Sequence, residues 1–352
     1  MSYESDIHES AKQMNLYLLT ICIATYNRAE YLENTLQNIV DQTQSFNDIE
    51  ILVADGNSTD STELVVNKFT SSHRNITYLK LTEKGGVDKD YDLAVQNAQG
   101  KYCWLFTDDD FIKANAIKKI HGFLSKNSDL VIINSEICDY SLSHTLKRSA
   151  LDTQKNLSFN FMNSGRDIFF KLCGTYISFI GAIIIKRSLW IQHHRSNFYE
   201  TRFIHVGVIS TLKDPTSILV IAEPFIKIRL GNAEWSHISF KIWSQLWPNL
   251  IWSIPCLEDA TKKSICPKDP SKSFKFLFWQ RGLGSYSKRE FDAFIAPQSQ
   301  PVNKKLALCI ALMPQCIPRF IYYIYGLLKR DDLLVYQIGD GRVSKNQWHS
   351  SD

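Results

Sequence analysis

Residues 102–111 read Tyr102-Cys103-Trp104-Leu105-Phe106-Thr107-Asp108-Asp109-Asp110-Phe111. An apolar run of this length is too short for a helix and predicts a buried β-strand. Open α/β sheets bind ligands beyond the carboxyl ends of their strands, so the three aspartates stand where a site would be. Three adjacent carboxylates repel one another unless a cation or hydrogen-bond donors relieve them, and oxygen ligands suit Mg²⁺ or Mn²⁺. A solvated loop with one aspartate capping a helix is the alternative.

Two earlier apolar runs also end in polar residues. Residues 16–24 predict a first strand that ends in Thr25 and Tyr26, and residues 49–53 predict a second strand that ends at Asp55. Each run precedes a segment with apolar residues at helical spacing. Because parallel strands bring their carboxyl ends to one edge of a sheet, we expect these residues and the three aspartates to converge.

Local structure accounts for several neighbouring polar residues. Asn27 and Glu30 have the spacing of a helix N-cap and its reciprocal partner. Asn57 follows Gly56 in a sequence typical of a turn, and Asp88 suits a helix cap as well as a binding site. Such roles do not explain the aspartate at the end of the second strand.

The alternation of apolar runs and helical patterns predicts an α/β fold with a mostly parallel central sheet flanked by helices. Residues 139–165 are polar and irregular, and they predict a loop region over the site. Further strands are predicted at residues 76–81, 130–134, 177–185 and 218–222.

The character of the chain changes near residue 236, which predicts a domain of residues 1–235 and a mainly helical extension of residues 236–352. Residues 255–273 are rich in lysine and predict a linker. The apolar block of residues 306–328 contains Arg319 and two prolines, so two short helices are expected rather than one membrane span. Either the catalytic domain or the membrane interface could receive them.

Composition excludes some functional classes. The chain has 352 residues, 44% of them hydrophobic and 22% charged, which is ordinary for a globular protein. A formal net charge of +4 does not imply a nucleic-acid partner. The polar first fifteen residues do not resemble a secretory signal, and the eight cysteines form no Cys-x-x-Cys pair. We therefore expect a cytoplasmic protein with reduced thiols.

Three segments together resemble the successive motifs of the family 2 glycosyltransferases, which have the Rossmann-like GT-A fold. They are residues 19–28, 53–60 and 100–110, and the resemblance extends over roughly residues 16–235. Three further segments are similar to bacterial O-antigen enzymes of the abequosyltransferase type: residues 85–90, 203–207 and 229–235.

This resemblance implies transfer of a sugar, with a deoxyhexose as one candidate, from a nucleotide diphosphate sugar. The acceptor would be a hydroxyl of a growing surface glycan such as O-antigen, carried on an undecaprenyl lipid. The reaction would be metal-assisted and inverting. Peripheral contact through residues 302–330 would hold the protein on the inner face of the cytoplasmic membrane, with no nucleic-acid partner.

The resemblance also implies roles for individual residues. Asp110 would be the metal ligand of a DXD motif, with Asp108 holding the metal or the ribose, and Asp55 would bind the base or ribose. Because the leaving diphosphate gains negative charge, a metal there would lower the barrier. The remaining candidates for nucleotide-sugar binding are Thr25, Tyr26, Asn27, Glu30, Asn57, Asp88, Asp109, Arg229 and Trp235.

Inverting transfer also needs a general base. The broader family uses an aspartate in a Glu-Asp pair at the start of a later helix, and this sequence has no such pair there. His205 lies nearest and would serve with a near-neutral pKa, and Glu200 is the rival. The missing pair leaves an inverting or a retaining outcome open.

Two other classes of protein remain as alternatives. A phosphatase with an aspartate nucleophile also carries Asp-x-Asp after a strand, although such a motif is usually followed by Gly-Thr and here Phe111-Ile112 follows. A non-catalytic sugar-nucleotide binding protein is the second alternative. Dinucleotide binding is not expected, because no Gly-x-Gly-x-x-Gly follows the first strand.

Overall fold

A computed structural model of the protein describes residues 16–298 and 303–339. The predicted first, second, third and organising strands all form, and each lies within two residues of its predicted start. The ten strands are β1 (Tyr17–Thr25), β2 (Ile49–Asp55), β3 (Ile76–Lys80), β4 (Gly100–Phe106), β5 (Phe111–Ile112), β6 (Leu130–Cys138), β7 (Thr145–Lys147), β8 (Leu157–Asn160), β9 (Ile183–Lys186) and β10 (Ser217–Arg229).

The strands form one mixed sheet in the order β3-β2-β1-β4-β9-β6-β10-β5, with β7 paired to β6 and β8 paired to β10. The α/β prediction is confirmed, and the sheet is mixed, with parallel pairing along β3-β2-β1-β4 and between β6 and β10. β9 runs antiparallel to both of its neighbours, β4 and β6. Residues 177–185 are predicted as one strand. In the structure this range contains two 3₁₀ turns followed by the start of β9.

Helices cover both faces of the sheet. They are α1 (Ala29–Thr43), α2 (Thr62–Ser72), α3 (Val87–Asn97), α4 (Ala116–Leu124), α5 (Gly165–Cys173), α6 (Arg187–Ile191), α7 (Ile204–Thr211), α8 (Ser239–Lys241), α9 (Trp247–Ser253), α10 (Asp259–Ile265), α11 (Phe274–Leu283), α12 (Lys288–Glu290), α13 (Lys304–Leu312), α14 (Cys316–Lys329) and α15 (Asp332–Gly339).

Strand β4 is buried on both faces, which explains its unbroken apolar sequence. Trp104 and Phe106 pack into the core on one side of the sheet, with residues of α1 and α4. Cys103 and Leu105 pack into the core on the other side, with residues of α3, α5 and α7. The acidic residues after Phe106 are therefore held on a strand that burial fixes in register and in direction.

The region after residue 236 is mainly helical, and its first part packs directly on the sheet domain. Trp247, Leu250 and Ile251 belong to the same core as β4. The predicted linker of residues 255–273 contains α10 and a 3₁₀ turn. The division at residue 235 stays a prediction. Residues 1–15 and 340–352, at the outer ends of the two predicted domains, lie outside the described residues.

The apolar block near the carboxyl end forms two helices, α13 and α14, as predicted. The helices are bent by 85° at the break between them. Among the described residues, no single helix is long and apolar enough to cross a membrane, and only the bent pair taken together reaches that length and composition.

Candidate functional site

Three strand ends meet at one edge of the sheet. Strands β1 and β2 run parallel with Thr25 opposite Asp55, and β4 lies on the other side of β1. Thr25 Oγ1 donates a 2.8 Å hydrogen bond to Asp108 Oδ2. The three aspartates after β4 (Asp108, Asp109 and Asp110) are here named the acid cluster. They therefore lie together with the ends of β1 and β2.

Arg28 neutralises part of the acid cluster. Its Nε lies 3.0 Å from Asp108 Oδ1, and its Nη2 lies 2.5 Å from Asp109 Oδ2. The guanidinium carbon lies 4.5 Å from the centre of the Tyr31 ring. Sequence analysis assigns Arg28 no role, although a basic residue just past a strand end that faces three acids is a signal for such a pairing.

Residues of a late loop complete the cluster from the opposite side. Asn232 Nδ2 donates to Asp109 Oδ2 at 2.6 Å, and the Asn232 carbonyl accepts from Arg28 Nη1 at 3.1 Å. Trp235, three residues further on, is 38% exposed and contacts Trp243 edge to face, with ring centres 6.2 Å apart. The loop therefore lies against the acid cluster and carries a partly exposed aromatic ring.

Asp110 is the most buried member of the cluster. It is 2% exposed, its Oδ2 accepts from Thr107 Oγ1 at 2.6 Å, and its Oδ1 accepts from the Arg229 backbone N–H at 2.7 Å. Burial first, and the neighbouring charge of Asp109 second, raise the pKa of Asp110 well above its usual range. This carboxylate is costly to ionise until positive charge approaches it.

The acid cluster has the donor chemistry of a hard divalent cation, because all of its side-chain donors are oxygens. Within residues 16–298 and 303–339, no three acidic, histidine or cysteine side chains are arranged to enclose a metal ion. Arg28 pairs with Asp108 and Asp109, and no ion pair is found for Asp110 in this part of the chain. The three carboxylates do not enclose a cation by themselves, so a cation held here would need further ligands such as phosphate oxygens and water.

Asp55 organises the loop after β2. Its Oδ1 accepts from both the backbone N–H and the hydroxyl of Ser58, at 2.8 and 2.6 Å, and its Oδ2 accepts from Tyr78 Oη at 2.7 Å. Ser58 Oγ in turn accepts from the Asn27 backbone N–H at 2.8 Å. The carboxylate thus ties the loop after β2 to the loop after β1. Asn57, in the same loop, is exposed with a φ of +66°.

The start of α1 differs from the predicted capping box. Asn27 has a φ of +52°, and its Oδ1 accepts from the backbone N–H of Thr59 at 2.7 Å. Asp60 supplies the cap, because its Oδ2 accepts from the Ala29 backbone N–H at 3.1 Å. Glu30 is exposed in the first turn of α1. The capping prediction is wrong because a residue distant in sequence satisfies the helix start.

Tyr26 lines the space between the first two strand ends and α3. Lys84 Nζ lies 3.6 Å from the centre of its ring. A β-carbon at Gly56 would lie 3.5 Å from the Tyr26 ring, in ordinary contact, and 3.2 Å from Asp90 Oδ2, so a side chain there would crowd the carboxylate. Burial raises the pKa of Asp90 to about 6. Sequence analysis does not single out Asp90, which lies among the other acidic residues of α3.

The segment that Asp88 holds is not the one that contains the acid cluster. Its Oδ2 accepts from the Arg202 backbone N–H at 2.8 Å, and its Oδ1 accepts from the Ile204 backbone N–H at 3.0 Å. Asp88 therefore caps the start of α7 rather than its own helix. Burial raises its pKa to about 6, against these backbone hydrogen bonds. Glu200, just before this segment, is exposed and has a φ of +68°.

His205 lies in the first turn of α7, inside the core. It is 1% exposed, its Nε2 lies 2.8 Å from the Ile177 carbonyl, and its Nδ1 has no partner within the described residues. Burial lowers the pKa of His205 to about 4, so the near-neutral value expected from sequence is wrong. The structure does not bring this ring into contact with the acid cluster.

Arg229 links the acid cluster to the region of residues 139–165. Its Nε donates to the Asp109 carbonyl at 3.0 Å and its Nη1 to the Tyr140 carbonyl at 2.5 Å. The hydroxyls of Tyr140 and Tyr31 lie 2.6 Å apart. The Tyr140 backbone N–H donates to Tyr336 Oη of α15 at 2.9 Å. This contact chain from α15 to the acid cluster is not readable from sequence spacing.

Residues 20–189 match the family described as glycosyl transferase family 2. Abequosyltransferase RfbV of Salmonella typhimurium is 28% identical over 224 residues, which cover 61% of this chain and 67% of that protein. Glycosyltransferase GlyG of Streptococcus pneumoniae is 28% identical over 118 residues, which cover 33% of this chain and 38% of that protein. The similarity to abequosyltransferase-type enzymes expected from sequence is confirmed.

The structure of residues 1–349 of TarS from Staphylococcus aureus, solved with UDP, superposes with a TM-score of 0.54 at 17% sequence identity. The superposition covers 94% of this chain and 88% of that one. This likeness concerns the fold, and the predicted GT-A architecture is confirmed.

Proposed function

We propose that this chain, of which residues 20–189 match the family 2 glycosyltransferases, transfers a sugar from a nucleotide diphosphate sugar to a hydroxyl of a bacterial surface glycan. The observation that carries this proposal is the convergence of the acid cluster, Arg28 and Arg229 at the strand edge, next to the loop that Asp55 organises. The family match and the abequosyltransferase relative argue against the aspartate-nucleophile phosphatase as an alternative.

The acid cluster is proposed as the diphosphate site. Asp110 and Asp108 would hold Mg²⁺ or Mn²⁺ together with donor phosphate oxygens, and such a cation offsets the negative charge that develops on the leaving diphosphate. Arg229 is well placed to add positive charge, because its backbone N–H and its Nε are already bound to Asp110 and Asp109. Asp109 positions Arg28 and Asn232 around the same point.

The space around Tyr26 is proposed as the nucleoside site. Tyr26 contributes an aromatic ring with Lys84 over it, and Asn27 and Asn57 lie on the two loops that border it. Asp55 acts by holding these loops in register, since both of its oxygens already accept hydrogen bonds from Ser58 and Tyr78. Thr25 orients Asp108, and Glu30 lies at the rim. UDP bound to TarS supports a nucleotide donor for this chain as well.

Glu200 is proposed as the general base of an inverting reaction. It is exposed, and Asp88 anchors the backbone just after it through Arg202 and Ile204. His205 is the weaker of the two predicted candidates, because a fully buried ring with a pKa of about 4 cannot readily exchange a proton with an acceptor hydroxyl. Trp235 would contact the acceptor from the late loop.

The acceptor is proposed to be a lipid-linked glycan. RfbV is named an abequosyltransferase, and TarS is named a poly(ribitol-phosphate) beta-N-acetylglucosaminyltransferase, so relatives act on bacterial surface polymers. We place the protein on the inner face of the cytoplasmic membrane, in contact through residues 302–330, of which Val302 lies outside the described residues.

A donor screen tests this function. Purified protein with Mg²⁺ or Mn²⁺ would be incubated with a panel of nucleotide sugars, and release of nucleoside diphosphate would be followed. One donor should be turned over by the wild type and not by Asp110→Asn. If no donor supports turnover with lipid-linked or soluble glycan acceptors, and nucleotide sugars still bind, the protein is a non-catalytic sugar-nucleotide binding protein. NMR of the product's anomeric carbon separates inversion from retention.

A further inference from the structure

Helix α14 presents an apolar face to solvent along its whole length. The face comprises Ile317, Phe320, Ile321, Ile324 and Leu328, here named the α14 face, and its members are spaced by three or four residues. Phe320 is 66% exposed and Leu328 is 78% exposed. An amphipathic helix of a soluble domain normally turns such a stripe toward the core. Contiguous exposure of this kind marks an interaction surface.

The opposite side of α14 is already used for packing. Pro318 and Gly326 are buried, and a β-carbon at Gly326 would lie 2.9 Å from Val335 Cγ2 of α15. Arg319 Nε donates to the Ile338 carbonyl at 3.0 Å. Because this side of the helix packs on protein, α14 cannot be surrounded by lipid without losing these contacts.

The helical segment that carries the α14 face has an excess of basic residues. Lys304 and Lys305 begin α13, Lys329 ends α14 and Arg330 caps it, and all four are exposed. Asp331 and Asp332 follow, so residues 303–339 carry five basic and two acidic residues. Tyr323 and Tyr325, 38% and 52% exposed, supply the amphipathic rings typical of a bilayer interface. An apolar stripe on a segment with excess positive charge complements an anionic lipid surface.

The segments of this sequence that lie outside the described residues are poor in large apolar side chains. Residues 340–352 read DGRVSKNQWHSSD, with two large apolar side chains, Val343 and Trp348. Residues 1–15 and 299–302 are also mainly polar. None of these segments carries enough apolar surface to bury five large side chains.

We propose that the α14 face inserts into the interface of an anionic membrane, with α14 parallel to the surface. This proposal specifies the membrane contact that is part of the proposed function. It rests on the proposed function only for the identity of the acceptor. The site would then lie on a membrane-bound protein whose α15 contacts Tyr140 beside the acid cluster.

Vesicle flotation of the full chain tests this proposal without donor or acceptor. We expect binding to phosphatidylcholine vesicles that contain 30% phosphatidylglycerol, weaker binding in 0.5 M salt, and little binding to phosphatidylcholine alone. Leu328→Glu should lower the bound fraction at least tenfold. Leu64→Glu on α2 is the matched control, because Leu64 is 74% exposed and the charge change is identical.

Absence of wild-type binding, or equal binding by Leu328→Glu and Leu64→Glu, overturns the proposal. A wild-type dimer in light scattering that Leu328→Glu dissociates also overturns it, since a second copy then covers the face. Turnover of a soluble acceptor should be the same in Leu328→Glu and wild type. Loss of vesicle binding with normal turnover therefore tests the surface separately from the glycosyltransferase activity.

Discussion

Arg28 Nε lies 3.0 Å from Asp108 Oδ1, and the same guanidinium reaches Asp109. A single arginine therefore supplies, without any bound ligand, part of the positive charge that the acid cluster requires. Both side chains are largely shielded from water, so solvent does not screen the pairing as it would on an open surface. A cation that approaches Asp108 must compete with Arg28.

Replacement of Arg28 tests this competition. In Arg28→Gln we expect Mn²⁺ to bind about tenfold more tightly in the absence of donor, because a fixed positive charge beside the carboxylates is removed. Electron paramagnetic resonance of free Mn²⁺ measures the affinity directly. Arg74→Gln, an exposed site with the same charge change, should leave it unaltered. Equal Mn²⁺ affinity in wild type and Arg28→Gln would show that Arg28 does not compete.

Neutralising Asp110 should abolish metal-dependent transfer without unfolding the protein. We expect turnover of Asp110→Asn to fall by ~100-fold or more, the equivalent of ~3 kcal/mol in the barrier. The melting temperature should be retained or raised, because burial and Asp109 already disfavour the charged form of Asp110. Nucleoside diphosphate release and thermal unfolding measure the two effects. Unchanged turnover in folded Asp110→Asn would remove Asp110 from the metal site.

His205 should make stability depend on pH. Its pKa of about 4 in the fold lies below the ordinary value of 6.5, so the fold favours the neutral ring. The resulting stability is complete above pH ~6.5 and is lost as the pH falls toward 4, by ~2 kcal/mol between pH 7.5 and 5. Asp88 and Asp90, whose pKa values are raised to about 6, act in the opposite direction over this range. The His205 contribution is therefore measured as the difference between urea unfolding of wild type and of His205→Gln at the two pH values.

His205→Gln should reduce this pH dependence, whereas His194→Gln, at an exposed position, should retain it.

The pH–rate profile distinguishes Glu200 from His205 as the base. If Glu200 is the base, the acidic limb disappears in Glu200→Gln and persists in His205→Gln. The reverse pattern would assign the base to His205.

Removing the Tyr336 hydroxyl tests the link from α15 to the site. Tyr336→Phe leaves the Tyr140 backbone N–H without its acceptor, which should cost ~1 kcal/mol in stability. We expect faster hydrogen exchange in residues 139–147 and a few-fold fall in turnover, because Tyr140 holds Arg229 through its carbonyl. Tyr325→Phe, on the exposed side of α14, is the control. Unchanged exchange and turnover would show that the contact is incidental.

The strands that form the site could be predicted from sequence for a simple reason. β1, β2 and β4 are buried on both faces, so each is an apolar run that ends abruptly in polar residues. The sequence does not separate β9 from the segment before it, because residues 177–185 are largely apolar and the 3₁₀ turns within them have no distinct pattern. Apolar patterns do not indicate strand direction either, so the antiparallel pairs cannot be predicted from them.

The candidate site was predictable where one segment carries the signal. The acid cluster is contiguous in sequence, whereas Arg28 and Asn232 reach it from distant segments, and Tyr140 is linked to it through Arg229. His205 shows the opposite limit: sequence indicates a titratable residue in a motif, and only packing reveals that the ring is enclosed and neutral. The cap of α1 by Asp60 belongs to the same class of long-range contact.

The contact between Tyr336 and Tyr140 has a practical consequence for truncated forms of the protein. A version shortened before α13 to remove the apolar helices would also lose α15, and with it the Tyr336 hydroxyl that accepts a hydrogen bond from the loop that holds Arg229. A loss of catalysis in this version would therefore have two explanations, lost attachment to the membrane and a loosened donor site. Charge substitutions on the exposed face of α14 keep the two causes apart, and a carboxyl-terminal fusion partner should be attached through a spacer that leaves α15 in place.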